Sequence, residues 1–522
     1  MTGSGILETA DGRSPSSTPK VLTLDALADT LASCRAQHRT VVLCHGVFDL
    51  MHPGHIRHFE AARRHGDVLV VTITPDQFVQ KGPGRPAFNH RLRAETVAAL
   101  ACVDYVAINE WPTAVETIKV LRPDVYCKGS DYENREADVT GGIRDEERAI
   151  REIGGRIEFT TEVSFSSTEL LNQFYQVYPD ETQRFLNEFK ARHSAESIID
   201  RLGALQGLKV LVIGEAIIDE YHYCYPMGKS PKEAIVSTRF LREERFAGGA
   251  LACANHVAGF CGQVDLMTGL GDQESHEAFI RSSLKPNVRP VFFERPGTST
   301  IVKRRYIWEP FLTKMFEVSF MDDSDLPVDL EERVAGTLRE RLAGYDLVIA
   351  VDYGHGFLTR RLVNELCERA PFLAVNTQAN SANLGYNLIT KYPRVDYVCI
   401  DEPEVRLAMH DRSSPVPDLV EKVKGLLGAR AISITRGHHG ALTCDEHDTL
   451  WQVPVFSREI VDRVGAGDAY LSVTAPCVAA GAPLDMVGFI GNAVGALAVR
   501  IVGNRSSVEP VPLYKFITAL LK

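Results

Sequence analysis

Apolar residues in this chain change their spacing several times, and the changes outline its parts. Up to residue 22 there is no spacing: Ser, Thr, Gly and Pro dominate, and 1–22 is expected to be a disordered tail. Leu22 to Ala36 repeats apolar residues at helical intervals. Thr40-Val41-Val42-Leu43-Cys44, Asp67 to Ile73, Tyr105 to Ile108 and Val125-Tyr126-Cys127 are short, unbroken β-branched runs that read as buried strands. Helical patterns separate them: one through Ile56, Phe59 and Ala62, then Leu92 to Leu100 and Val115 to Leu121. Strands alternating with helices predict a parallel sheet covered on both faces, with ligands bound at the carboxyl ends of the strands.

The stretch 173–206 is polar, with Phe174, Val177, Phe185, Phe189, Ile198 and Leu202 at helical spacing, and reads as a helical linker. Strands running into turns resume at Lys209 to Glu215, Leu347 to Val351, Val398 to Ile400 and Ile432 to Thr435. The chain is therefore divided into a first α/β domain at 23–172, the linker, and a second α/β domain at 207–522.

A length of 522 residues is itself too great for one ordinary domain. The net charge of −11 argues against a nucleic-acid binder, which would need a basic face, so anionic substrates must be held by local clusters. The sequence has no apolar run of membrane-spanning length and no apolar signal core. Its 11 cysteines include no C-x-x-C pair, which fits buried thiols in a reducing, cytoplasmic compartment.

The first strand runs into His45-Gly46-Val47-Phe48-Asp49-Leu50-Met51-His52-Pro53-Gly54-His55, a strand-to-helix turn. His52 and His55 are three apart, so both rings lie on one face of the first helical turn. The helix start supplies unpaired amides and a positive dipole end, and Gly54 lets backbone approach a ligand closely. A metal pair would want three or four ligands, and no Cys or His partner follows at ligand spacing. Further strand ends carry Lys81-Gly82-Pro83-Gly84-Arg85-Pro86 and Lys128-Gly129-Ser130-Asp131-Tyr132. Ser166-Ser167-Thr168 precedes a helical stretch that Ser166 is placed to cap, offering hydroxyls and amides to phosphate.

The histidine turn resembles the nucleotidyltransferase superfamily that carries an HxGH signature. In order, the later segments resemble the adenylyltransferase half of the bacterial enzymes that make ADP-heptose, over about Val41 to Leu171. The resemblance implies that His52 and His55 are catalytic, stabilising the α-phosphate transition state. It implies nucleotide or phosphate binding by Gly46, Phe48, Gly54, Lys81, Arg91, Lys128, Ser166, Ser167 and Thr168. Related cytidylyltransferases carry Arg-Thr-x-Gly before the terminal Ser/Thr triplet, whereas this chain has Thr160-Thr161-Glu162-Val163-Ser164-Phe165, which favours ATP over CTP. The stretch Glu133 to Glu147 is longer than in the heptose enzymes.

In the second domain Gly465-Ala466-Gly467-Asp468 opens a long apolar helix. Small residues there leave amides facing outward as an anion hole, and Asp468 beside it can take a proton from a substrate hydroxyl. With Gly248-Gly249, Asp401-x-x-Glu404 and Thr435-Arg436-Gly437, this resembles the ribokinase/PfkB family of sugar kinases over Lys209 to Lys522. The resemblance implies Asp468 as catalytic base and Gly465, Ala466 and Gly467 as anion hole. It also implies Thr435, Gly437 and Asn492 along the nucleotide, Asp219, Gly248 and Gly249 at the sugar, and Asp401 and Glu404 tied indirectly to Mg²⁺. A small β lid is expected at Glu220 to Arg245 and Thr298 to Val318. Within it Lys303, Arg304 and Arg305 either meet a sugar phosphate or form a solvated basic strand.

Within that family the order Asp219-Glu220-Tyr221 then Ser230-Pro231 is similar to the kinase that phosphorylates C1 of heptose 7-phosphate. The departures are Ala252 and His256 where two Asn are usual, His355 for a Lys, Asn376-Thr377-Gln378 for a DPK segment, and a domain order opposite to the common fusion. The resemblances imply a bifunctional enzyme of nucleotide-sugar synthesis. Its substrates would be a sugar phosphate and ATP (CTP possible), with Mg²⁺ as cofactor and a homodimer as assembly. Two alternatives stay open. One is a cytidylyltransferase for a polyol or alcohol phosphate fused to the kinase that makes its acceptor. The other is a chain with one half degenerate, serving as a sensing or dimerisation module.

Overall fold

The computed structural model describes residues 20–79, 81, 85–129, 142–160, 178–457 and 459–522. The described residues fall into two compact units: those up to Thr160 except Lys81, and those from Tyr178 onward together with Lys81.

The first unit is a six-stranded sheet of β1 (Val21–Leu22), β2 (Val41–Gly46), β3 (Val68–Ile73), β4 (Tyr105–Ile108), β5 (Val125–Gly129) and β6 (Arg156–Thr160). Its order is β1-β4-β3-β2-β5-β6, and every pair is parallel. Successive residues of β2 and β3 enter two different cores. Val41, Leu43, Val68 and Val70 pack against α1 (Leu24–Ala36), α4 (Val115–Leu121) and α5 (Gly142–Glu152). Val42, Cys44, Leu69 and Val71 pack against α2 (Pro53–Arg63) and α3 (His90–Ala98). Burial on both faces is why these strands read as unbroken apolar runs.

The tail expected over 1–22 is shorter than that at its inner end. Val21–Leu22 is an edge strand on β4, and the Lys20 ammonium donates to the carbonyls of Leu100 and Val103 at 2.9 and 2.8 Å.

The second unit has a nine-stranded sheet, β11-β10-β7-β14-β15-β16-β17-β18-β19. In chain order these are β7 (Lys209–Gly214), β10 (Gln263–Gly271), β11 (Val288–Arg295), β14 (Leu347–Asp352), β15 (Leu373–Thr377), β16 (Tyr397–Asp401), β17 (Ala431–Thr435), β18 (Ala441–Cys444) and β19 (Leu450–Val453). Pairing is parallel through β17 and antiparallel beyond it.

On one face lie α6 (Asp180–Lys190), α7 (Ala195–Ala204), α8 (Ala250–Phe260), α9 (Glu277–Ser283), α14 (Ala466–Ala479), α15 (Leu484–Ala498) and α16 (Pro510–Leu521). On the other lie α10 (Val328–Arg341), α11 (Arg360–Arg369), α12 (Glu402–Ala408) and α13 (Val416–Leu427). The stretch expected as a linker is thus no free connector: Leu186, Phe189, Ile198 and Leu202 are buried in the second unit's core, and the Phe189 ring stacks on Phe489 at 4.3 Å.

A four-stranded sheet stands where lid strands were expected. It comprises β8 (Ala216–Lys229), β9 (Val236–Gly249), β12 (Ile301–Trp308) and β13 (Thr313–Phe320), in the order β13-β12-β8-β9. Asp219, Lys303 and Phe246 are register partners and share one face with Tyr221 and Arg305. The opposite face carries Tyr306, Phe316, Val318 and Phe320.

Candidate active sites

In the first unit the turn after β2 is built around His52. This residue caps α2, its Nδ1 accepting from the Gly54 amide at 3.1 Å, and Pro53 takes the first helical position, where no N–H is needed. The His52 and His55 rings stack with centroids 3.9 Å apart, and His55 also meets the edge of Phe48 at 5.3 Å. The two imidazoles therefore do lie together on the first turn of the helix.

Phe48 has φ +48°, a left-handed conformation that costs a non-glycine residue roughly 1–2 kcal/mol. Its ring lies 3.0 Å from where a Cβ on Gly46 would stand, so a side chain there would press on the ring. The turn is held from outside its own sequence. Arg93, with no exposed side chain, donates to the carbonyls of Val47, Phe88 and Thr74 (2.9 Å to Phe88 and 2.8 Å to Thr74) and to Asp76 at 2.7 Å. Asp49 accepts from the amides of Ala87 and Phe88 and lies 3.8 Å from Arg85.

At the end of β5, Lys128 is buried and pairs with Glu146 of α5 at 2.9 Å. Burial alone would raise the Glu146 carboxyl, but Lys128 and His45 hold it below its ordinary value. His45 touches Thr72 at 2.9 Å and Thr74 at 3.3 Å. Burial first, then Lys128, push its pKa down to about 4, so it is neutral at pH 7. Arg91 is exposed at the start of α3, and Lys81 is half-buried. Ser166, Ser167, Thr168, and Ser130 to Tyr132 lie outside the described residues.

In the second unit Gly465 precedes α14 with φ +79°, and a Cβ there would stand 2.1 Å from the Asn504 side-chain oxygen. Ala466 and Gly467 form the first turn, and Asp468 follows. The Tyr353 hydroxyl donates to Asp468 at 2.9 Å. Burial raises the Asp468 pKa to about 6 and Asp219 adds to the rise, while Tyr353 and Lys303 oppose it. That is a carboxylate ionised at neutral pH yet basic enough to take a hydroxyl proton.

Asp219 accepts from Arg305, and from the Asn504 amide at 3.1 Å. A Cβ on Gly248 would fall 2.2 Å from an Asp219 oxygen, and Gly249 has φ +59°, so glycine is required at both positions. Asn504 thus ties Asp219 to the turn that opens α14.

These observations agree with comparison to known proteins. Residues 43–173 match the cytidylyltransferase-like family model, and residues 361–510 match that of the pfkB family carbohydrate kinases. The chain joins a cytidylyltransferase-like domain to a pfkB-family kinase domain. Among similar curated proteins are bifunctional protein HldE of Trichlorobacter lovleyi, 35% identical over 165 residues (31% of this chain, 32% of that protein), and HldE of Magnetococcus marinus, 42% identical over 140 residues (26% and 27%). The chain spans about a third of the length of the curated relatives it matches. Among solved structures, phosphofructokinase-2 from Escherichia coli in complex with substrates and products covers 60% of this chain and all of its own at a TM-score of 0.50 and 16% identity, a likeness of fold.

Within the kinase domain the remaining motif residues have these local partners. Asn492 spends both amide hydrogens on the carbonyls of Val453 and Pro454, at 2.8 and 2.9 Å, fixing the end of β19. Asp401 and Glu404 form a reciprocal capping box at the start of α12: Asp401 accepts from the Glu404 amide at 2.8 Å, and Glu404 from the Asp401 amide at 2.9 Å. Burial, then the neighbouring Asp401, push Glu404 up to about 8. Thr435 ends β17 beside Asp401, and Gly437 turns the chain with φ +53°.

His256 is buried and accepts from the Val508 amide at 3.1 Å, and its pKa falls to about 3, so it is a neutral core acceptor. His355 is fully buried against Asp323 at 2.7 Å. Residues to which no motif gave a role, Arg93, Glu146, Tyr353 and Asn504, hold the groups of the two candidate sites in place.

Proposed function

We propose that the chain catalyses two steps in making a nucleotide sugar. The kinase domain phosphorylates the anomeric C1 hydroxyl of a sugar phosphate of the heptose 7-phosphate type, using ATP. After removal of the distal phosphate by another enzyme, the cytidylyltransferase-like domain joins the sugar 1-phosphate to the α-phosphate of a nucleoside triphosphate, taken to be ATP, and releases pyrophosphate. The observation that carries this reading is that each domain arms a strand-to-helix turn for phosphoryl chemistry: a stacked His52–His55 pair in one, and Asp468 beside Gly465–Gly467 in the other.

In the kinase step Asp219 and Asn504 orient the sugar, Asp468 takes the hydroxyl proton, and the amides of the Gly465–Gly467 turn meet the phosphoryl group in transit. In the nucleotidyl step the imidazoles of His52 and His55 meet the charge that grows on the α-phosphate, and Lys128 faces the acceptor. The described residues hold no cluster of three metal-ligating side chains. The half-buried Asp401–Glu404 pair suits a divalent cation held through water, which would offset the burial and the Asp401 charge that together raise Glu404. Mg²⁺ would supply charge neutralisation on the triphosphate. The eleven cysteines, all free, support a reducing cytoplasm, and no helix among the described residues is long and apolar enough to cross a membrane.

With sugar 1-phosphate supplied for the nucleotidyl step and sugar phosphate for the kinase step, His55→Ala should abolish nucleotide-sugar formation and leave ADP production intact, and Asp468→Asn should do the reverse. Chromatography of both products, with ATP and CTP offered in parallel, reads the assignment and the nucleotide. A variant that keeps its own reaction overturns that site.

We further propose that a second copy covers the outer face of the lid sheet. Phe316, Val318 and Phe320 there are 46%, 40% and 43% exposed, and Phe240 of β9 is 54% exposed. Light scattering should give a dimer for the wild type and a monomer for Phe316→Glu/Val318→Lys.

A further inference from the structure

Three consecutive cations stand on β12, and the structure separates them. Arg304 ion-pairs with Glu220 at 2.7 Å. Arg305 donates to Asp219 and pairs with Glu317 at 2.8 Å. Lys303 is only 8% exposed, and its ammonium has no hydrogen bond or ion-pair partner among the described residues.

A lysine buried to this extent with no partner for its ammonium is costly, and proteins keep one where something else completes it. Lys303 is the register partner of Asp219, so its side chain rises from the lid face that carries the sugar-orienting carboxylate. Asp219, Glu215 and Glu317 act on it electrostatically, and it acts in turn on Asp468 and His355, so it sits among the reacting groups. The cations lining the nearby cavity of about 310 Å³ are in a different state. Arg505 pairs with Glu244 at 2.6 Å, Lys285 with Glu509 at 2.7 Å and Arg245 with Glu220 at 3.0 Å.

We infer that Lys303 is the residue whose ammonium binds a phosphate group in the kinase site. This rests on the kinase reading above and names the residue that receives the anion. The phosphate is either the acceptor sugar's own or the phosphoryl group leaving ATP. Burial leaves the Lys303 pKa lowered. An arriving dianion supplies the charge it lacks and favours its protonated form.

Lys303→Met removes the charge at nearly constant volume, and the full-length protein is assayed with heptose 7-phosphate and with unphosphorylated heptose. A KM for the phosphorylated sugar raised at least about tenfold, with that for the plain sugar unchanged, assigns Lys303 to the acceptor's phosphate. A kcat lowered about 100-fold with both sugars assigns it to the phosphoryl group in transit. Unchanged constants in a folded variant overturn the proposal.

A second measurement does not depend on the sugar. At constant ionic strength, inorganic phosphate should raise the unfolding temperature of the wild type more than that of Lys303→Met, and equal shifts overturn the proposal. If the wild type phosphorylates none of the sugars offered but keeps this phosphate-dependent difference, the kinase substrate reading fails and the Lys303 site stands.

Discussion

Asp468 concentrates the kinase chemistry in one titration. Its carboxyl, raised to about 6 chiefly by burial, must be ionised to accept a proton. Activity therefore falls as pH drops through about 6 and levels off above it. Tyr353 donates to that carboxylate and is a cause that lowers its pKa. Tyr353→Phe should accordingly move the acid limb of kcat/KM to higher pH while keeping the alkaline plateau, and an unmoved limb would exclude the tyrosine from tuning the base. At this scale the sequence was legible only where chemistry is packed into a short motif. His52, His55, Asp468 and Asp219 stand out because their neighbours in sequence are also their neighbours in space. Tyr353 lies 115 residues from Asp468, and Asn504 lies 285 from Asp219. Arg93 reaches back 46 residues to Val47. No local pattern announces a partner brought in by tertiary folding.

Among elements, the start of β8 and the end of β9 approach closely in the kinase site. Gly248 is opposite Ile217, and a methyl group on it would fall 2.2 Å from an Asp219 oxygen. Gly248→Ala must therefore push Asp219 off its Asn504 partner rather than merely fill space. The expected result is a sugar KM raised about tenfold or more, equivalent to at least about 1.4 kcal/mol, with nucleotidyl transfer by the same protein unchanged. Steady-state kinetics of both reactions measure it; an unchanged KM would mean that Asp219 does not orient the sugar. Strands such as β2, β3 and β14 were readable because both their faces are buried, which makes them continuous apolar runs. The edge strands β1 and β6 were not. The first is two residues long, and the second, Arg156-Ile157-Glu158-Phe159-Thr160, carries charges at alternate positions. A sheet edge needs neither length nor an unbroken apolar run.

At the scale of the whole molecule, the boundary between the domains is where sequence and structure part company. Polar composition made 173–206 look like a connector, yet from Asp180 onward its apolar residues are structural parts of the kinase unit. Helical spacing marks which residues are buried but not which domain buries them. Leu186, Phe189, Ile198 and Leu202 each stabilise that core by about 2 kcal/mol when buried, roughly 8 kcal/mol together as an upper bound. That is comparable with the roughly 5–15 kcal/mol that holds a whole domain folded. The same segment covers Asp485, a buried carboxylate that accepts from Arg192 at 2.5 Å and lies 2.8 Å from His193, so removing it also strands a charge. A fragment of residues 178–522 should thus be soluble, unfold in one cooperative transition and phosphorylate sugar at the rate of the full chain. A fragment of residues 207–522 should aggregate or melt far lower, because deleting α6 and α7 exposes Phe456, Phe489 and Leu513 beneath them. Thermal unfolding of the two fragments side by side decides the matter. Equal midpoints would mean that the helices only rest on the kinase unit, and the expected boundary near residue 207 would then be the physical one.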